Sequence, residues 1–284
     1  MSIVYLLPYS FKETVGLHMF QEGYQLDWRY SFSFLENYKM ILEDNFPIAT
    51  PLQVFWSLCV EEHFYLLWMI VFVFLPIRHL LKFLVCCFGF AWIARIMFHF
   101  LTDNVLITED LFTNLDYFAA GGILGYLVAN NFNVVQDFIE QRSNLLKRLI
   151  LVVAVIFIVF QEHIFSTINS KIIVVLKPSI LALIFACILT IFIPLKSKIR
   201  IKSKFLNYLG TISYGLYVYH MIVINVLYQY CLNNRIGFEK SGNVILFLAV
   251  SIITTVLISI VSYHYYEQPF LSLRERLTKT IKEK

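Results

Sequence analysis

Apolar residues in this chain come in unbroken runs instead of alternating with polar ones. Seven runs of about twenty positions are separated by shorter stretches that hold most of the charge. A run of about twenty crosses a hydrocarbon core as a helix, whereas a barrel strand needs only about ten residues of alternating character. The pattern therefore predicts an all-α, polytopic transmembrane helix bundle. Its spans are expected at about 52–75, 83–101, 112–130, 148–161, 172–194, 207–231 and 243–266. The fourth run is short, with Ile164 and Phe165 in line to extend it. Residues 1–51 read as an interfacial or extracytoplasmic segment: 1–26 is weakly apolar and broken by Pro8, Lys12 and Glu13, and 27–51 is polar and acidic. Residues 52–266 form the expected bundle, and 267–284 a basic tail.

Composition agrees: 59% of the 284 residues are hydrophobic and 15% charged, with a mean hydropathy of +0.70. An ordinary soluble domain carries about a quarter charged residues, so that class is excluded and membrane lipids are the chain's surroundings. The net charge of +4 matters less than its distribution. Alternate connections and the tail hold fifteen Lys and Arg residues, against five on the opposite side. The basic side includes Arg78 and Lys82, Arg142 to Arg148, the cluster Lys196, Lys198, Arg200, Lys202 and Lys204, and Arg274 to Lys284. By the positive-inside rule that side is cytoplasmic, as is the C-terminus, in a multi-pass protein of the inner (plasma) membrane. The tail bases suggest a short surface helix on the inner leaflet. The five cysteines lack metal-ligand spacing and read as packing residues, and no metal site, bound cofactor or nucleic-acid partner is expected.

Ionisable side chains inside the spans change the picture most. One at membrane depth costs roughly 2.5–3.5 kcal/mol even on the lenient scale, so it faces a partner or a wet cavity. The first span carries Glu61, Glu62 and His63; later ones carry Arg95, Asp116, Lys177 and His220. Counting rise per residue places Glu61, Arg95 and His220 near one level in the outer half, with Asp116 and Lys177 shallower. One shared polar centre is the expectation; Arg95 and Lys177 acting only as counter-ions to Glu61 and Asp116 is the bland alternative. Ser57, Glu61 and Tyr65 repeat every four residues, a polar stripe that turns Glu61 inward; Glu62 points about 100° away, and His63 reads as structural. Gly121, Gly122 and Gly125 suggest a face for close helix contact.

Four segments carry a family resemblance. Trp56-Ser57-Leu58-Cys59-Val60-Glu61-Glu62-His63-Phe64-Tyr65-Leu66-Leu67-Trp68 closely resembles a signature of the acyltransferase-3 membrane family, the O-antigen and peptidoglycan O-acetylase type. Asn114-Leu115-Asp116 through Gly122, Ser213-Tyr214-Gly215-Leu216-Tyr217 through His220, and Tyr266-Glu267-Gln268-Pro269-Phe270 resemble three further motifs, in the family's order. The resemblance implies O-acyl transfer, acetyl above all, from cytoplasmic acyl-CoA as donor substrate to a hydroxyl of an extracytoplasmic glycan or lipid-linked saccharide. Glu61 matches the more widely shared acid of the pair, and His220 the histidine of the sixth span. On this reading Glu61, Glu62, His220, Arg95, Asp116 and Lys177 are the candidate catalytic set. Trp56, Ser57, Tyr65, Tyr214 and Tyr217 are candidates for substrate contact, and Lys198 and Arg200 for the CoA phosphates. Family members also have a first helix with a basic residue and a histidine. No match precedes Trp56, and His18 lies in another context, so a truncated member is expected. The rival readings are a transporter or flippase using the buried charges as a proton relay, and an inactive member of the family.

Overall fold

A computed structural model describes residues 27–47, 51–101, 108–166, 171–193 and 203–282. The expectations for 1–26, including His18, and for Lys198 and Arg200 lie outside the described residues, as does most of the basic loop around them. Among the described residues there are helices and no strands. Seven of the described helices are long and apolar enough to cross a membrane, as the runs require. The chain divides into two compact units. The larger comprises Ser33–Asp44 and Ser57–Arg200; the other comprises Met1–Phe32, Asn45–Trp56 and Ile201–Lys284.

Two short helices precede the spans: α1 (Trp28–Phe32) belongs to the smaller unit and α2 (Glu36–Glu43) to the larger. Most of α3 (Phe55–Phe74) lies in the larger unit, with α4 (Ile77–Leu101), α5 (Leu115–Glu140), α6 (Asn144–Ser166) and α7 (Lys171–Phe192). Three boundaries differ from the sequence expectation, each for a local reason. Helix α4 begins at Ile77, directly after Pro76, so Arg78 and Lys82 lie in its first turns instead of a loop. Proline is well suited to precede a helix, and the two long basic stems extend past the apolar boundary. Helix α5 continues to Glu140 through a kink at Asn131, and α6 fills 23 residues instead of fourteen, since its ends are polar but still good helix formers.

Side chains of α3, α4 and α5 interlock in a core of Val71, Leu80, Leu84 and Ala119, edged by Trp68, Phe83 and Ile123. Phe64 of α3 stacks on Phe118 of α5 with ring centroids 3.7 Å apart. Gly122 permits this fit: a Cβ there would meet Leu84 Cδ2 at 2.8 Å and the Trp68 ring at 3.5 Å. Gly121 and Gly125 face open space, so only one member of the expected small-residue face makes a close contact.

In the smaller unit the expected 207–231 span is divided. A short amphipathic α8 (Lys204–Thr211), capped by Ser203 Oγ accepting from the Leu206 amide, precedes α9 (Ser213–Asn233). Helices α9 and α10 (Ser241–Ser262) pack along their lengths. They come close together at Gly215, where a Cβ would lie 3.1 Å from Ser259 Cβ and 3.2 Å from its Cα. Beyond α10 the chain takes one π-helical turn (Tyr263–Glu267) and continues as α11 (Gln268–Lys282), longer than the surface helix expected from Arg274 onward.

Candidate active site

The site is built at the end of the larger unit where α3, α5 and α7 begin and α4 and α6 finish. Asp116 sits in the first turn of α5, at the positive end of the helix dipole, and its Oδ1 accepts the Tyr117 amide. Arg95, six residues before the end of α4, donates from Nη2 to the same Asp116 oxygen at 2.5 Å. Both residues are sealed, Arg95 2% and Asp116 0% exposed. Helix α7 supplies the third wall. Pro178 removes one backbone N–H from its ladder, and the nearby Val175 carbonyl accepts from Arg95 Nη1 at 2.8 Å. Ser179 Oγ donates to Asp116 Oδ2 and accepts from the Trp92 indole N–H at 2.6 Å. A carboxylate with both oxygens bonded, held by groups from three helices, fixes those helices in register.

Glu61 is different. It is partly exposed on α3, and its Oε1 accepts from the Tyr65 hydroxyl at 2.5 Å, one turn along the same helix. The i, i+4 stripe read from the sequence thus becomes a bonded pair. Glu62 is exposed, as its position around the helix requires, while Trp56 and Ser57 are partly buried at the start of the helix. Lys177 reaches Glu162 of α6 at 2.7 Å, a pair whose glutamate is 80% exposed. Arg95 and Lys177 therefore have carboxylate partners in Asp116 and Glu162; of the bland counter-ion alternative one pair is present, Arg95 with Asp116, while Lys177 takes a partner outside that set.

The polar segment before the first span is less solvated than its composition suggests. On α2, Glu36, Asn37, Lys39 and Met40 are buried. Asn37 Nδ2 donates to the Glu109 carbonyl at 2.9 Å, and Lys39 pairs with Glu43 at 3.1 Å. The Tyr38 ring stacks on His63 of α3 with centroids 5.2 Å apart. Burial, then the charge and hydrogen bond of Asp110, push the Tyr38 hydroxyl up to about 12. Burial likewise raises the Glu109 carboxyl to about 7, against a smaller opposing effect from the Thr108 hydroxyl. His63 is thus a packing partner of α2, in keeping with the structural role read for it.

His220 belongs to the smaller unit, on α9 with Tyr214 and Tyr217. Its Nδ1 lies 2.6 Å from the Tyr217 carbonyl. A carbonyl only accepts, so Nδ1 is the donor here, which leaves Nε2 as the nitrogen free to exchange a proton. The Tyr217 hydroxyl donates to the Val54 carbonyl at 3.1 Å, tying α9 to the turn at Pro51–Val54. Tyr214 is exposed.

Residues 3–264 match the family model described as an acyltransferase domain, which is nearly the whole chain and includes Glu61, Asp116 and His220. The chain belongs to the acyltransferase-3 family. No curated protein and no solved structure matches it. In this acyltransferase-3 chain, residue-by-residue reading missed Ser179 and Glu162, partners of residues it had singled out, and Trp92, which bonds Ser179. Trp92 lies three residues before Arg95 on one helix face, and Ser179 directly follows Pro178, the one proline within the described part of a membrane-spanning helix of the larger unit. Both clues lay in the sequence. The buried face of α2 had no such clue, because only its neighbours make it an interior.

Proposed function

We propose that this membrane acyltransferase moves an acyl group, acetyl foremost, from cytoplasmic acyl-CoA to a hydroxyl of an extracytoplasmic glycan or lipid-linked saccharide. The carrying observation is the Glu61–Tyr65 pair on the helix that holds the family signature. It leaves a carboxylate oriented and partly exposed, with no ion pair among the described residues, which suits a group that handles protons.

In the transfer the acceptor oxygen attacks the thioester carbon, the C–S bond breaks, an ester C–O bond forms, and the hydroxyl proton leaves. Glu61 serves as base or as orienter of the acceptor, with Tyr65 fixing its rotamer. His220, with Nδ1 protonated toward Tyr217, takes or relays the proton through Nε2. Glu62, Trp56, Ser57, Tyr214 and Tyr217 are proposed substrate contacts, and Lys198 and Arg200 proposed contacts for CoA phosphates at the cytoplasmic end. Arg95 and Asp116 hold α4, α5 and α7 in place, and Lys177 steadies the outer end of α7 through Glu162. Incubating membranes with acyl-labelled acetyl-CoA tests the reading. Label should appear on an exported saccharide with the parent chain and vanish with Glu61→Gln at equal membrane abundance. Saccharide flux without label would instead establish transport.

A further inference from the structure

We infer that α8, the π-turn and α11 form one platform that binds the headgroup layer of an anionic leaflet. At 1.5 Å per residue the 22 residues of α10 span about 33 Å, the full hydrocarbon core, so the chain beyond Ser262 has left it. Yet the next residues present apolar side chains at helical spacing. Tyr266, Phe270 and Leu273 are 66%, 61% and 53% exposed. The packing of α11 is chiefly with the π-turn before it. Helix α8 repeats the arrangement on a smaller scale, with Phe205 and Leu206 exposed and Lys204 at its start.

One imidazole joins the pieces. His264 Nε2 lies 3.2 Å from the Tyr208 hydroxyl of α8, with the rings stacked, and its Nδ1 lies 3.2 Å from Gln268 Oε1 at the start of α11. The two amphipathic helices are thereby held together just where α10 ends.

Charge selects the occupant. Helix α11 carries Arg274, Arg276, Lys279 and Lys282 against Glu275, with Glu267 ahead of it. A second copy laid on the same stripe would bring two such basic helices together, whereas anionic headgroups beside an apolar layer satisfy both features. None of the residues named for this surface is among the proposed acyl-transfer residues, so it stands or falls independently of that reading.

Hydrogen exchange on the full chain in nanodiscs tests it, comparing phosphatidylcholine alone with a phosphatidylcholine–phosphatidylglycerol mixture. Amides of 268–282 should exchange severalfold more slowly in the anionic bilayer, the difference shrinking as salt is raised. Arg274→Gln with Lys279→Gln should abolish most of that difference, since each base contributes about fivefold to the attraction, with α10 protection as the folding control. Equal exchange in both bilayers, fast or slow, overturns the proposal. So does protection found only in discs that hold two copies.

Discussion

Two carboxylates of the larger unit, 55 residues apart in the chain, have opposite surroundings. Asp116 is sealed, its oxygens taken by Arg95, Ser179 and the Tyr117 amide. Glu61 is partly exposed, with a bond from Tyr65 of its own helix. The first arrangement has nothing left to give a substrate, and its value is mechanical. The second leaves a lone pair and an approach, which a base needs. Membrane depth alone made the two look alike; their partners separate them.

Substitution at each should therefore fail differently. Glu61→Gln should lower acyl transfer by about 10²–10⁴-fold, the usual range for a lost acid–base group, while membrane abundance and thermal stability stay near those of the parent. Asp116→Asn should do the reverse. It leaves a buried guanidinium without its counter-charge, costing about 3–5 kcal/mol, read as lost folded protein in detergent. Arg95→Met with Asp116→Leu should recover much of that stability, as apolar replacement of a complete buried pair commonly does. Full stability in Asp116→Asn, or an unstable Glu61→Gln, would erase the distinction.

A smaller effect tests the packing. Gly215→Ala places a methyl against the backbone of Ser259 and should cost about 1–3 kcal/mol. Gly122→Ala meets a leucine methyl that can rotate away, and should cost less. Equal melting shifts for the two would show that α10 gives way as easily as the Leu84 side chain.

The smallest expected effect concerns pH. The Glu109 carboxyl rises from its ordinary 4.5 to about 7 on burial. Its contribution is full below pH 4.5 and is lost as pH climbs through 7, because the ionised form is the one burial penalises. Proteolysis near α2 should thus quicken between pH 5 and pH 8 in the parent. In Glu109→Gln that portion of the pH dependence should vanish, while an unchanged slope would assign it to another group.

Much of the fold was legible because lipid imposes a strict rule: a helix must satisfy its backbone internally over about twenty residues, which writes its length into the sequence. That rule announced seven spans, and the fourfold spacing of Ser57, Glu61 and Tyr65 foretold a shared helix face, on which Glu61 and Tyr65 bond. It said less about where helices stop, since Arg78, Lys82 and the polar end of α5 are as good at forming helix as loop. Partnership was beyond its reach. That Arg95 meets Asp116 and Ser179, that Lys177 turns to Glu162, and that Glu36 and Asn37 are buried all depend on which helices lie side by side. Hydrophobicity acts along one chain and can be counted residue by residue; the cancellation of a buried charge needs a second group from elsewhere, and only the packed molecule chooses it.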